Sequence, residues 1–176
     1  MSARRFAPGA ALAALALAAC FGGGDKQDPP RCPRASIVAD AATVTFFRDG
    51  QGRDLTDVLG QGEIDRVLAQ CEFSRRSIDI DLQIAIGGAR GPAERTGRIE
   101  FEYFVAIVDA DRNIAAKQNF KVELRFTGGR DRIGIVEQVY PRIPITERTR
   151  TLDYEILIGF QLTPDQMAWN QRRRGG

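Results

Sequence analysis

The sequence predicts an all-β domain, an antiparallel two-sheet sandwich of about seven strands carrying one short C-terminal helix. Three observations predict it. Apolar residues recur at every second position in run after run, most cleanly at Ile78, Ile80, Leu82, Ile84 and Ile86, with polar or small residues between them. Such a period places one face of a strand on a core and the other in water. Gly, Pro, Asp, Asn and Ser cluster between the runs, as in Ser74-Arg75-Arg76, Gly87-Gly88-Ala89-Arg90-Gly91-Pro92, Asp109-Ala110-Asp111-Arg112-Asn113 and Gly128-Gly129-Arg130-Asp131; these are turn residues. Helix-start chemistry occurs only near the end of the chain, at Thr163-Pro164-Asp165-Gln166.

Residues 1–19 read as an export signal rather than as domain structure. Arg4 and Arg5 form a basic start, and the apolar run Ala10 to Ala19 ends in small residues. That run is shorter than the roughly 20 residues a spanning helix needs. Ala16-Leu17-Ala18 fits an ordinary cleavage site that would release a soluble protein. The competing reading is Leu17-Ala18-Ala19-Cys20, which at all four positions resembles the lipobox of bacterial lipoproteins. The resemblance covers only residues 1–20. It implies removal of 1–19 and a diacylglycerol on Cys20, usually with a third acyl chain. Each buried methylene contributes about 0.8 kcal/mol, so two or three chains anchor a protein durably. Phe21 stands where lipoproteins kept in the inner membrane often carry Asp, so the resemblance implies the outer membrane, periplasmic face. The implied partner is thus a membrane, held through the lipid, and no cofactor is expected beyond that covalent lipid.

Residues 20–31, Gly- and Pro-containing and polar, read as a flexible tether that cannot bury enough surface to fold. Residues 32–176 leave about 145 residues, enough for one domain with a real core. Three cysteines are an odd number for an exported chain; lipidation of Cys20 leaves Cys32 and Cys71 to pair. In an oxidising compartment a structural disulfide is the expected outcome, and no C-x-x-C spacing supports a redox role.

Within the domain, the expected strands contain Val44 and Phe46; Val67 to Phe73; Ile78 to Ile86; Ile99 to Val108; Phe120 to Phe126; Ile133 and Ile135; and Leu152 to Leu162. Ile99 to Val108 is apolar on one face and partly so on the other, through Phe104, Ala106 and Val108, and reads as a central strand. Pro141 and Pro144 exclude their segment from a central strand, because proline offers no ladder donor. The layout resembles immunoglobulin and fibronectin type III domains in architecture alone: Cys32 and Cys71 bracket no tryptophan, and the sole Trp169 lies at the far end. Thr163 as N-cap, Pro164 in the first turn and Gln166 completing a capping box predict a short helix with Met167 and Trp169. Those two side chains either fold back on the sandwich or, with Arg172, Arg173 and Arg174, dock a partner; aromatic residues and arginine are favoured interface anchors.

The chain contains no histidine. That excludes His-assisted nucleophiles, His metal sites and histidine pH switches. No G-x-S-x-G elbow, Walker loop or dinucleotide fingerprint occurs. The glycine pairs Gly87-Gly88 and Gly128-Gly129 read as hairpin turns. The carboxylate pairs Asp79/Asp81, Glu100/Glu102 and Asp153/Glu155 lie opposite apolar stripes and read as wet strand faces, with Arg98, Lys121 and Arg125 as cross-strand partners. Asp109 and Asp111 sit in a turn without the spacing of a calcium loop. Without Arg4 and Arg5 the 25 basic residues become 23, matching the 23 acids, so net charge gives no reason to expect nucleic acid. The function these readings favour is non-enzymatic: an outer-membrane lipoprotein serving as an interaction or structural module in envelope assembly or maintenance, with an envelope protein as partner. The rival is a periplasmic ligand- or carbohydrate-binding domain using the loop from Arg90 to Arg98.

Overall fold

The computed structural model describes residues 31–50, 53–145 and 154–174; Cys20, Asp153 and most of the tether lie outside them. Two sheets face each other. The first has the order β1 (Arg34–Ile37), β9 (Glu155–Phe160), β5 (Arg98–Val108), β6 (Ile114–Arg125). The second runs β2 (Thr43–Phe47), β3 (Val58–Phe73), β4 (Ser77–Arg90), β7 (Arg132–Val139), and β8 (Arg142–Pro144) also pairs with β4. An α-helix, α1 (Pro164–Arg174), follows β9. The two-sheet sandwich and its C-terminal helix are as the sequence predicts.

The period-two reading of β4 translates directly into packing. Ile78, Ile80, Leu82, Ile84 and Ile86 are each no more than 2% exposed, whereas the residues between them are half-buried on the outer face. They meet Ile99, Phe101, Tyr103, Val105 and Ile107 from β5, Val122 and Leu124 from β6, and Ile156, Ile158 and Phe160 from β9. Phe101 and Phe160 pack edge to face at 5.0 Å. The Tyr103 hydroxyl donates to Glu137 at 3.5 Å; burial first, and the Glu137 charge second, push its phenol above the ordinary range.

Several expectations are corrected. Nine strands form among the described residues rather than about seven, because β1 and β8 are too short to show a period. β1 pairs with β9 in parallel, so the sandwich is not wholly antiparallel. Gly87-Gly88 is not a turn: β4 runs on to Arg90, paired with β3 on one side and β7 on the other. Packing explains Gly88, where an added Cβ would overlap the Leu124 side chain. At Gly60, two residues along β3 from Gly62, the direct partner of Gly88, a Cβ would lie 2.6 Å from Ile99. Glycine here lets two sheets approach, and that need is invisible to a turn rule. Gly128 and Gly129 do form a turn, with φ of 64° and 72°, but it joins β6 to β7 across the two sheets rather than closing a hairpin. The proline segment does supply a strand, yet a three-residue one at the sheet margin, where a missing donor costs little.

Register gives the sandwich two distinct ends. Arg34 aligns with Glu155, and Glu155 with Val108; Phe73 aligns with Ile78, which pairs with Ile143. This end also holds the Cys32–Cys71 disulfide, with Cα atoms 5.5 Å apart. The bridge joins the chain just before β1 to β3, and so ties one sheet to the other. The opposite end carries the β2–β3, β4–β5 and β6–β7 connections.

Candidate interaction surface

Helix α1 starts as the capping box requires. Gln166 Oε1 accepts from the Thr163 N–H at 2.9 Å, and Thr163 Oγ1 accepts from the Gln166 N–H at 3.3 Å. The helix then lies on the outer face of β2, away from the core. Val44 and Phe46 point inward, leaving Thr43, Thr45 and Phe47 to meet it. Trp169 packs edge to face on Phe47 at 4.9 Å. Asn170 fixes the other half: it is 6% exposed, and its Nδ2 donates to the Asp40 and Thr43 carbonyls at 3.0 and 2.7 Å. Arg174 closes the contact by pairing with Asp40. The helix therefore folds back, but onto a sheet face rather than over the end of the sandwich.

Docking in this way sends the basic residues to separate places. Arg174 is committed to Asp40. Arg172 lies 5.9 Å from the Trp169 ring and lines a groove of about 530 Å³ with Phe47, Asp49, Arg53 and Asp165. Arg53 lies over the Phe47 ring at 5.3 Å, so two guanidinium groups flank two aromatic rings. Arg173 lines a second groove, of about 520 Å³, on the outer face of β3, β4 and β7. Thr43, Gln61, Glu63 and Arg132 give it polar walls, and Gly87 and Gly134, direct partners across β4 and β7, leave its floor bare. A Cβ at either glycine would come no nearer than ordinary contact distance to anything. Packing does not require these two glycines. The guanidinium groups of Arg132 and Arg173 have no ion-pair partner among the described residues. Met167 is half-buried, its N–H bonded to the Thr163 carbonyl within the first turn.

Several of the other charged residues are engaged. Asp79 accepts from Ser77 Oγ at 2.7 Å and pairs with Arg142; these hold its carboxyl below the usual range, the serine bond contributing most. Glu102 faces Lys121 at 3.7 Å, Glu123 takes both Arg98 and Arg125, and Glu155 takes Arg112. Asp109 accepts the Asp111 and Asn113 N–H groups of its own turn. Among the described residues, no cluster of three or more Cys, Asp or Glu could hold a metal ion. The loop from Arg90 to Arg98 lines a groove of about 620 Å³ through Arg90, Gly91, Pro92, Glu94 and Arg95, together with Asp131. Arg90 pairs with Asp131 at 2.8 Å, and the buried Glu94 accepts from Thr96 and Gly97 to shape the turn. Burial raises the Glu94 pKa, but the Thr96 and Gly97 bonds outweigh it and leave the carboxyl below its ordinary range.

Comparison with known proteins finds no matching family model, no similar curated protein and no similar solved structure. Sequence reading located Trp169, Arg172 and Arg173 but not Asn170, Gln61, Arg132 or Gly134, which belong to the same surface. No motif marks Asn170; its role depends on two backbone carbonyls far away in sequence.

Proposed function

We propose that this chain is an outer-membrane-anchored periplasmic lipoprotein, and that its sandwich is a non-enzymatic interaction module of the cell envelope whose protein partner docks over helix α1. One observation carries the reading. Arg172 and Arg173 rim separate grooves on a helix that is already docked, and neither has a carboxylate partner among the described residues. Interfaces are enriched in such aromatic and arginine anchors held on rigid elements. The surface is also well placed. Gln61 stands ten residues along β3 from Cys71, about 33 Å of strand, so the groove lies well away from the disulfide end of the sandwich. A partner suited to it presents carboxylates to Arg132 and Arg173.

The test is photo-cross-linking in intact cells, from a photoreactive residue at position 173 and, as control, at Lys117 on β6. A single envelope protein captured from position 173 alone supports the reading. Only glycan or lipid adducts, or none, would contradict it.

A further inference from the structure

The end of the sandwich beside the disulfide carries a feature that neither the core nor helix α1 uses. The β3–β4 hairpin closes through Phe73-Ser74-Arg75-Arg76-Ser77. Its turn is locked by Ser74, whose Oγ accepts from the Arg76 and Ser77 N–H groups at 3.2 and 2.9 Å. Arg75 and Arg76 project from this fixed turn, exposed and with no ion-pair partner among the described residues. Arg31 and Arg34, on either side of Cys32, are likewise exposed and unpaired there. Phe73 is 38% exposed at the same tip. The acids beside the tip are Glu72, next to Phe73, and Asp79, which accepts from Ser77 Oγ and is taken up by Arg142; Asp109 is bound in its own turn and Glu155 is paired with Arg112. The opposite end also presents arginines, Arg90 paired with Asp131 but Arg95 and Arg130 exposed and without an ion-pair partner among the described residues, so the reach of the tether decides between the two ends.

The geometry points to a second membrane contact: we propose that the β3–β4 tip, with Arg31 and Arg34, rests on an anionic phospholipid surface. The inference rests on the lipid anchor at Cys20 and adds an orientation to it. Twelve residues separate Cys20 from Cys32, a reach of at most about 43 Å. The disulfide makes Cys32 a fixed point beside the tip. From Cys71 to Val58, at the other end of β3, the strand covers about 43 Å. Resting the opposite end on the membrane would thus consume the entire reach, whereas the tip end can lie there with the tether slack. Guanidinium groups match phosphate in charge and geometry, and a neighbouring aromatic ring suits the interface between headgroups and acyl chains. The same placement lifts the groove at Arg132 and Arg173 toward the end of the sandwich far from the membrane.

Hydrogen exchange on the acylated protein in phosphatidylcholine vesicles, with and without phosphatidylglycerol, tests this. Exchange at residues 73–77 slows only with phosphatidylglycerol, and added salt removes the effect. An arginine at an anionic surface contributes about fivefold, so R75A/R76A lowers the ratio of bound to free tip by roughly thirtyfold. R130A, in the turn at the other end, changes nothing. Equal exchange in both vesicle types, or slowing at residues 127–130 instead, overturns the proposal while leaving the anchor intact. A native N-terminal peptide without acyl mass overturns the anchor and this contact together.

Discussion

Replacing Asn170 by alanine should release helix α1 before the sandwich unfolds. Its Nδ2, on a side chain only 6% exposed, donates two part-buried bonds, at 3.0 and 2.7 Å, to the carbonyls of Asp40 and Thr43. A hydrogen bond contributes about 0.5–1.5 kcal/mol net, and an unsatisfied buried group costs more, so the loss is about 2–3 kcal/mol. The other contacts are smaller. The edge-to-face pair of Trp169 and Phe47 adds about 1 kcal/mol beyond its burial, and the exposed Arg174–Asp40 pair adds less. An 11-residue helix does not persist alone in water. The assay is direct, because Trp169 is the only tryptophan and its fluorescence reports on the helix alone. In urea, N170A should lose native fluorescence about 1 M or more before the far-ultraviolet circular dichroism of the strands changes. Coincident transitions at the wild-type midpoint would refute this account of the docking.

Further outcomes follow from the same geometry. Replacing Cys32 and Cys71 by serine opens a loop spanning 39 residues; chain entropy sets the loss at about 4 kcal/mol, read as a lower denaturation midpoint. Gly91→Ala places a Cβ on the Val58 carbonyl and should cost about 2 kcal/mol or more, whereas Gly134→Ala makes only an ordinary contact, 3.8 Å from the Ile86 carbonyl oxygen, and should leave the thermal midpoint unchanged or slightly higher. Glu94 has a depressed folded pKa, so its contribution is complete above the unfolded value of about 4.3 and is lost as pH falls through the folded value. E94Q should flatten that acid limb in a pH series of thermal midpoints; an unchanged slope would remove Glu94 from its turn role.

How much was legible follows from where each signal lives. The strands with a buried and a wet face announced themselves, since alternation along β4 is a local pattern with a direct steric meaning. Thr163 and Gln166 did the same for the helix start. β1 was hidden because four residues show no period, and β8 because its prolines argue against a strand anywhere but at a margin. Gly87 and Gly88 misled because glycine serves turns and close sheet contacts alike, and only Leu124, remote in sequence, distinguishes them. The surface around α1 was half visible. Trp169 and the arginines stand out by type, but Asn170 binds carbonyls some 130 residues away, and Arg132 and Gly134 join the groove only once β7 has paired with β4.

The proposed anchor at Cys20 underlies both the proposed function and the membrane contact, so the most direct measurement is the mass of the N-terminal peptide of protein purified from native envelope. The account predicts a chain beginning at Cys20, its thiol carrying diacylglycerol, recovered with outer-membrane fractions. A chain beginning at Ala19 with a free Cys20 thiol, or an intact Met1 terminus, would contradict it.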